Sequence, residues 1–263
     1  MSRQAEAIWD PAQYGVFGDE RGRAFAELMR RVDIEPGRVA DLGCGSGELT
    51  ATLTRRWPDA IVHGIDASPE MIDAARAHEI PGRLSFGVGD VASWRPGAPT
   101  DLIVSNAVLH WVPEHPRLLA SWAAGLAPGG RLAFQVPGNF DMPSHVLLRE
   151  LCESPRWQSR LGGLLRSAPI LDPAGYLQLL ASRGFSVDAW ETTYAQVLQG
   201  DDPVLEWMKG STLRPVLSAL GSCSGVGEFL REYAAALREA YPRAEHGTVF
   251  PFRRVFVVAG RGP

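Results

Sequence analysis

The sequence predicts an α/β fold built on a mostly parallel sheet, and three observations carry the prediction. Short apolar runs alternate with helical segments five times in succession, the pattern of strand-helix-strand units joined by right-handed crossovers. The first run, Val39-Ala40-Asp41-Leu42, passes directly into Gly43-Cys44-Gly45-Ser46-Gly47 and then an amphipathic segment, which reads as strand, tight turn and helix start. The first three runs also carry acids at or next to their ends: Asp41, Asp66 and Asp90.

The glycine turn is built to receive a ligand. Without Cβ atoms its backbone can take positive φ and let another molecule approach closely, and the helix that follows adds free N–H groups and partial positive charge. The spacing is G-x-G-x-G, with no Gly-Lys-Ser/Thr ending, so neither a dinucleotide nor a polyphosphate fingerprint is present. An acid at Asp41 would repel a pyrophosphate but can accept from an ammonium group. S-adenosylmethionine, with an amino acid end, a ribose and an adenine, fits that turn.

Taken in order, Asp10-Pro11 marks a helix start, and Arg23 to Val32 forms an amphipathic helix with Phe25, Leu28, Met29 and Val32 as its stripe. Residues 1–36 are expected as lid helices, with packing on the outside of the sheet as the alternative. Helices at Glu48 to Trp57 and Pro69 to Ala77 flank a second strand that ends at Asp66. An acid there can accept from both ribose hydroxyls; it can equally cap the next helix, although Ser68 with Glu70 already suits that task. The third strand runs to Asp90, placed to accept from an adenine amine or to be satisfied by loop N–H groups. Asp101 to Asn106 forms the fourth strand, whose exit carries Asn106, His110 and Trp111 to the topological switch point. A helix from Pro116 to Leu126 is expected to stop at Pro128-Gly129-Gly130, and Arg131 to Val136 forms the fifth strand, with Asn139 at its exit.

The alternation then ends. Helical segments at Ser144 to Cys152, Pro173 to Arg183, Pro203 to Lys209 and Gly225 to Tyr241, with strands near 185–198 and 250–260, suggest an S-adenosylmethionine-binding core of residues 37–140. The terminal strands complete its sheet, and a helical cap of residues 141–184 and 199–249 lies over the carboxyl edge.

Composition excludes several function classes. Thirty acidic and 26 basic side chains give a net charge of −4, no field for nucleic acid or an anionic membrane. Three cysteines, Cys44, Cys152 and Cys223, are too few and too scattered for a zinc site or a disulfide framework, so no metal is expected and a reducing cytoplasm is the expected location. Neither a signal core nor an apolar run of about 18 residues occurs. A small-molecule partner and a monomer are expected, with an oligomer left open.

The acid-glycine turn, Asp66 and Asp90 together resemble the class I S-adenosylmethionine-dependent methyltransferases, which implies a Rossmann-like, seven-stranded, mostly parallel sheet with an antiparallel last strand. That resemblance implies cofactor contacts at Asp41, Gly43, Cys44, Gly45, Asp66, Ala67, Met71, Asp90, Val91 and Asn106. A closer match lies in Trp9-Asp10-Pro11 with Tyr14, Ile65-Asp66-Ala67-Ser68-Pro69-Glu70-Met71, Ser105-Asn106-Ala107-Val108-Leu109-His110-Trp111, Pro143-Ser144-His145, Trp190-Glu191-Thr192-Thr193-Tyr194 and Phe250-Pro251-Phe252-Arg253-Arg254-Val255-Phe256. These segments resemble the trans-aconitate 2-methyltransferases, implying methyl transfer to one carboxylate of a small polycarboxylate.

Carboxylates are ionised at neutral pH, so esterifying one needs no general base and the work becomes positioning. The carboxylates that do not react need cationic anchors, for which the arginine fork is suited. The candidates are Arg21, Arg23, Arg214, Arg253 and Arg254; the last two are adjacent on a strand and cannot share a pocket. Tyr14, Asn139, His145 and Tyr194 are donors that can complete the site, and Trp111 can wall it. His110 and Tyr14 are the candidate catalytic groups. Methylation of carbon or hydroxyl oxygen on another acid would instead need a base, His110 or His145; a non-catalytic cofactor-binding protein is the third possibility.

Overall fold

The computed structural model describes residues 18–166, 170–221 and 225–262. Its frame is an eight-stranded sheet with β1 Arg38–Leu42, β2 Ile61–Asp66, β3 Leu84–Val88, β4 Thr100–Asn106, β5 Leu126–Pro137, β6 Ser186–Leu198, β7 Arg243–Ala244 and β8 Gly247–Gly260. Seven strands follow the order β3-β2-β1-β4-β5-β8-β6, and the two-residue β7 pairs with β8 outside that path. The pairings β1 with β2, β2 with β3, β1 with β4 and β4 with β5 are parallel, while β5 and β8 run antiparallel. From β1 the chain winds outward to β2 and β3 and then returns to add β4 on the other flank. That reversal puts the topological switch between β1 and β4, where α/β sheets bind ligands at the carboxyl ends of their strands.

The helices are α1 Gly18–Arg30, α2 Glu48–Arg56, α3 Pro69–Ala75, α4 His115–Ala124, α5 Pro143–Glu153, α6 Gln158–Leu161, α7 Pro173–Ala181, α8 Pro203–Lys209, α9 Arg214–Leu220 and α10 Gly225–Ala240. Local chemistry explains several of the starts. Ser68 caps α3 by accepting from Met71 N–H at 3.2 Å, and Asp172 caps α7 by accepting from Gly175 N–H at 2.7 Å. A proline follows each cap, where its missing N–H costs nothing. The expected apolar stripe is buried, with Phe25 2%, Leu28 0% and Met29 4% exposed on α1 and Val32 2% exposed just past its end.

The chain divides into two compact units. The larger takes in described residues 18–137, 170–192 and 254–262, and the smaller takes in 138–166, 193–221 and 225–253. In the larger unit, Leu42, Ile103, Leu119, Trp122, Phe134 and Val257 build the core between sheet and helices. In the smaller, Trp207, Phe229, Tyr233 and Phe250 are fully buried aromatics.

Two expectations need correction. β5 begins at Leu126 rather than Arg131, because Pro128-Gly129-Gly130 forms an irregularity inside the strand: Thr100 pairs with Leu126, but Leu102 already pairs with Arg131. Helix α7, expected among the cap segments, belongs to the larger unit, where Tyr176 packs edge-on to Phe134 at 5.1 Å and bonds His115 Nε2 through its hydroxyl at 2.9 Å. Of the segment 1–36 expected as a lid, residues 1–17 lie outside the described residues, and the remainder includes α1. Glu27 of α1 accepts from Trp190 Nε1 at 3.0 Å and Thr192 Oγ1 at 2.6 Å, both on β6. No helix among the described residues is long and apolar enough to cross a membrane.

Candidate active site

The turn after β1 has positive φ at all three glycines, +84° at Gly43, +56° at Gly45 and +79° at Gly47. It is pinned to the tip of β2, since Gly43 N–H and Cys44 N–H both donate to the Ile65 carbonyl, at 2.8 and 2.9 Å. Two of the glycines do different things. A Cβ on Gly43 would lie 2.1 Å from Val108 Cγ2, so this position must be bare for the β4 exit to close against it. A Cβ on Gly45 would meet no heavy atom within 4 Å. The backbone there faces open space, the cradle a ligand needs.

Beneath the turn lies Asp41, 2% exposed. Its Oδ2 accepts from Thr50 Oγ1 at 2.6 Å, while Oδ1 is buried with no hydrogen-bond partner among the described residues. Burial pushes this carboxyl up to about 6, the Thr50 bond works against that, and the Asp66 charge adds to the rise. A buried carboxylate oxygen with an unfilled acceptor beside open backbone suits an ammonium group. These residues therefore fit the amino acid end of S-adenosylmethionine. The Cys44 thiol is pushed up by burial and by the Asp41 and Asp66 charges, which leaves it a packing group rather than a nucleophile.

Asp66 ties the site together. Its Oδ2 accepts from Gly45 N–H and its Oδ1 from Ser68 N–H, both at 2.9 Å. One bond on each oxygen leaves a second lone pair on each for hydroxyls. Asp90 is exposed, two residues past β3, and its Oδ1 accepts from Ala92 N–H at 2.8 Å. Met71 and Val91 are buried at 3% and 7%, whereas Ala67 is exposed.

At the exit of β4 the structure adds residues that the sequence did not reveal. Asn106 Oδ1 accepts from Gln135 Nε2 at 2.6 Å, and Gln135 Oε1 accepts from Arg254 Nη1 at 3.1 Å. Ala107 holds φ +59°, a conformation costing about 1 kcal/mol for a residue with a Cβ. That turn directs Val108 onto Gly43, after which a 3-10 turn, Leu109–Trp111, sets His110 beside Trp111 with ring centroids 4.7 Å apart. Gln135 had a signal, a lone amide inside the apolar run Leu132 to Val136. Ala107 had none, because alanine does not advertise positive φ. Thr50 also lacked one.

Asn139, His145, Tyr194, Arg214 and Arg253 belong to the smaller unit. Asn139 is 1% exposed; its Oδ1 accepts from Arg253 N–H at 2.6 Å and its Nδ2 is buried with no partner among the described residues. Arg253 donates through Nε to the Gly138 carbonyl at 2.7 Å and stands 3.6 Å from Asp141. His145 is 4% exposed and has both ring nitrogens engaged, with Ser144 Oγ and Thr212 Oγ1, each at 3.1 Å. Burial, with Arg149 nearby, lowers it to about 4, so the ring is neutral near pH 7. Tyr194 is 3% exposed, and Arg214 opens α9. Arg254 donates to Gln135 Oε1, a different partner from those of Arg253. Arg23 is exposed on α1; Tyr14 and the side chain of Arg21 lie outside the described residues. No group of three or more His, Cys, Asp or Glu among the described residues could hold a metal ion.

The methyltransferase domain family matches residues 17–189. Trans-aconitate 2-methyltransferase of Streptomyces avermitilis is 54% identical over 259 residues, covering 95% of this chain and 96% of that protein. The protein of the same name from Rhodococcus jostii is 52% identical, covering 96% and 99%. Among solved structures, an S-adenosylmethionine-dependent methyltransferase from Geobacter sulfurreducens in complex with S-adenosyl-L-homocysteine shares the fold, with a TM-score of 0.54 at 18% identity, covering 97% of this chain and all of that one. The chain belongs to the trans-aconitate 2-methyltransferases, a family of S-adenosylmethionine-dependent methyltransferases.

Proposed function

We propose that this chain esterifies one carboxylate of trans-aconitate, or of a close small polycarboxylate, releasing a monomethyl ester and S-adenosylhomocysteine. The observation that carries the reading is the buried Asp41 oxygen without a partner beside the open backbone at Gly45. The acceptor is taken from the name of relatives matching along nearly the whole chain. When bound, S-adenosylmethionine supplies an electrophilic methyl group on a sulfonium.

The remaining work falls to the protein. Asp41, kept buried and braced by Thr50, takes the ammonium end, and Gly43, Cys44 and Gly45 give it close backbone contact. Asp66 takes the ribose hydroxyls with the lone pairs not spent on Gly45 and Ser68. Asp90 and Val91 take the adenine, Ala67 and Met71 shape its neighbourhood, and Asn106 faces the reacting end with His110 and Trp111. An acid acceptor arrives already deprotonated, so no side chain has to remove a proton, and the neutral, fully bonded His145 is consistent with that. Catalysis is then orientation and exclusion of water. The cap role of the late helices, a lid role for the N-terminal segment 1–36, a cytoplasmic location and a monomeric state belong to the same proposal.

The test is chemical. Protein incubated with methyl-labelled S-adenosylmethionine and a panel of di- and tricarboxylates should place base-labile label on trans-aconitate. Base-stable label would mean carbon or ether methylation, and label on none of the acids would sink the proposed acceptor.

A further inference from the structure

Gln135 is 1% exposed in β5, between the fully buried Phe134 and Val136. A side-chain amide there is costly unless both ends are bonded, and both are. Nε2 donates to Asn106 Oδ1 on β4, and Oε1 accepts from Arg254 Nη1 on β8. The same residue's carbonyl accepts from Ala107 N–H at 2.9 Å, at the strained exit of β4. One residue thus joins the last position of β4 to an arginine whose Cα partner is Pro137, the end of β5.

We infer that Gln135 is a positioning residue for the acid: its amide aims the Arg254 guanidinium as the cation that grips a carboxylate, and sets the Asn106 amide in the same stroke. The inference rests on the reading of the substrate as a polyanion. The amide can adopt one orientation only, because a flip would set its NH2 against the guanidinium donors and its oxygen against Asn106 Oδ1. A neutral acceptor fixes the guanidinium without cancelling its charge, which a glutamate at this position would do. At 4% exposure, that charge acts through poorly screened surroundings, and it stands at the strand ends where α/β sheets take their ligands. A fork held this way selects acids with a carboxylate to spare beyond the one that reacts.

The experiment titrates trans-aconitate into the protein saturated with S-adenosylhomocysteine by calorimetry, and follows turnover with the labelled donor, for wild type, Gln135→Glu, Gln135→Met and Arg254→Met. Gln135→Glu and Arg254→Met should raise Kd and KM for trans-aconitate roughly tenfold or more and Gln135→Met less, while S-adenosylhomocysteine affinity in Arg254→Met, which leaves the Gln135–Asn106 bond in place, stays within about threefold of wild type. Should Gln135→Glu fail to fold, Gln135→Met and Arg254→Met carry the same comparison. Wild type that methylates trans-aconitate, with unchanged KM in the variants, overturns the inference and leaves the activity standing. Uptake of trans-aconitate without methylation, lost in the variants, overturns the activity and supports the inference. No uptake by wild type, or an equal fall in S-adenosylhomocysteine affinity across the variants, overturns it.

Discussion

Thr50 Oγ1 donates to Asp41 Oδ2 at 2.6 Å, holding one oxygen of a buried carboxylate while the other has no partner among the described residues. Burial pushes the carboxyl up to about 6 from an ordinary value of 3.8, against the lowering effect of the Thr50 bond and with the Asp66 charge adding to the rise. A raised acid keeps its proton longer in the folded state than in the unfolded one, so it takes stability away as pH climbs from about 4 through 6. Relative to wild type, Asp41→Asn should gain on the order of 2 kcal/mol between pH 4.5 and 7, read from urea unfolding at the two values. Affinity for S-adenosylhomocysteine should move oppositely, rising in wild type through pH 6 as Asp41 ionises and remaining low in the variant. Thr50→Val should push that inflection upward; an unmoved inflection would deny Thr50 its bracing role.

The two ends of the glycine turn separate folding from binding. Gly43→Ala sets a Cβ 2.1 Å from Val108 Cγ2, an overlap that should cost 1–3 kcal/mol or more by the usual scale of about that size for overpacking. Gly45→Ala meets nothing within 4 Å and should cost only the strain of positive φ, about 1 kcal/mol. Yet its methyl would stand in the space assigned to the donor, so donor affinity should fall at least roughly tenfold. Equal thermal stability of the two variants would contradict this division.

How much of this was legible depends on whether the signal was local. The acid-glycine turn, the Ser68-Pro69 helix start and the period of α1 declare themselves within a few residues, because φ restrictions, capping and amphipathicity are short-range. The start of β5 was misread for the same reason: Pro128-Gly129-Gly130 carries a stop signal, and only the pairing of Thr100 with Leu126 keeps the strand going. α6 and α9 went unread for want of a strong stripe over so few residues. The bridge through Gln135 joins three strands, and the buried bonds of His145 reach Thr212, 67 positions away. Such partners are chosen by the fold, so a sequence shows the polar residue but not what satisfies it.

Asp66 should matter for both the turn and the donor, while Asp90 should matter mainly for the donor. Asp66→Ala removes acceptors from Gly45 N–H and Ser68 N–H, a loss of about 1–3 kcal/mol in stability, together with at least roughly a tenfold loss in S-adenosylhomocysteine affinity. Asp90→Ala gives up one exposed bond to Ala92 N–H and should cost under about 1 kcal/mol. Calorimetric binding set beside unfolding curves separates the pair; unchanged affinity in Asp66→Ala would remove its ribose role.

His145 makes the smaller unit sensitive to acid. In the fold its ring is lowered from an ordinary 6.5 to about 4, first by burial and then by the Arg149 charge. The unfolded chain takes up a proton below about 6.5 that the folded chain refuses until near 4, so stability is lost as pH falls across that window. At pH 5 the loss should be on the order of 2 kcal/mol. His145→Gln keeps polar ends for Ser144 Oγ and Thr212 Oγ1 but has nothing to titrate. It should be less stable than wild type at pH 7.5 and should lose less between pH 7.5 and 5, with the pH dependence of kcat above pH 6 unchanged because the ring stays neutral there in wild type. A wild-type unfolding free energy that is flat across this window would place the proton on His145 in the folded state, and a new bend in the kcat profile of the variant would return the residue to the chemistry.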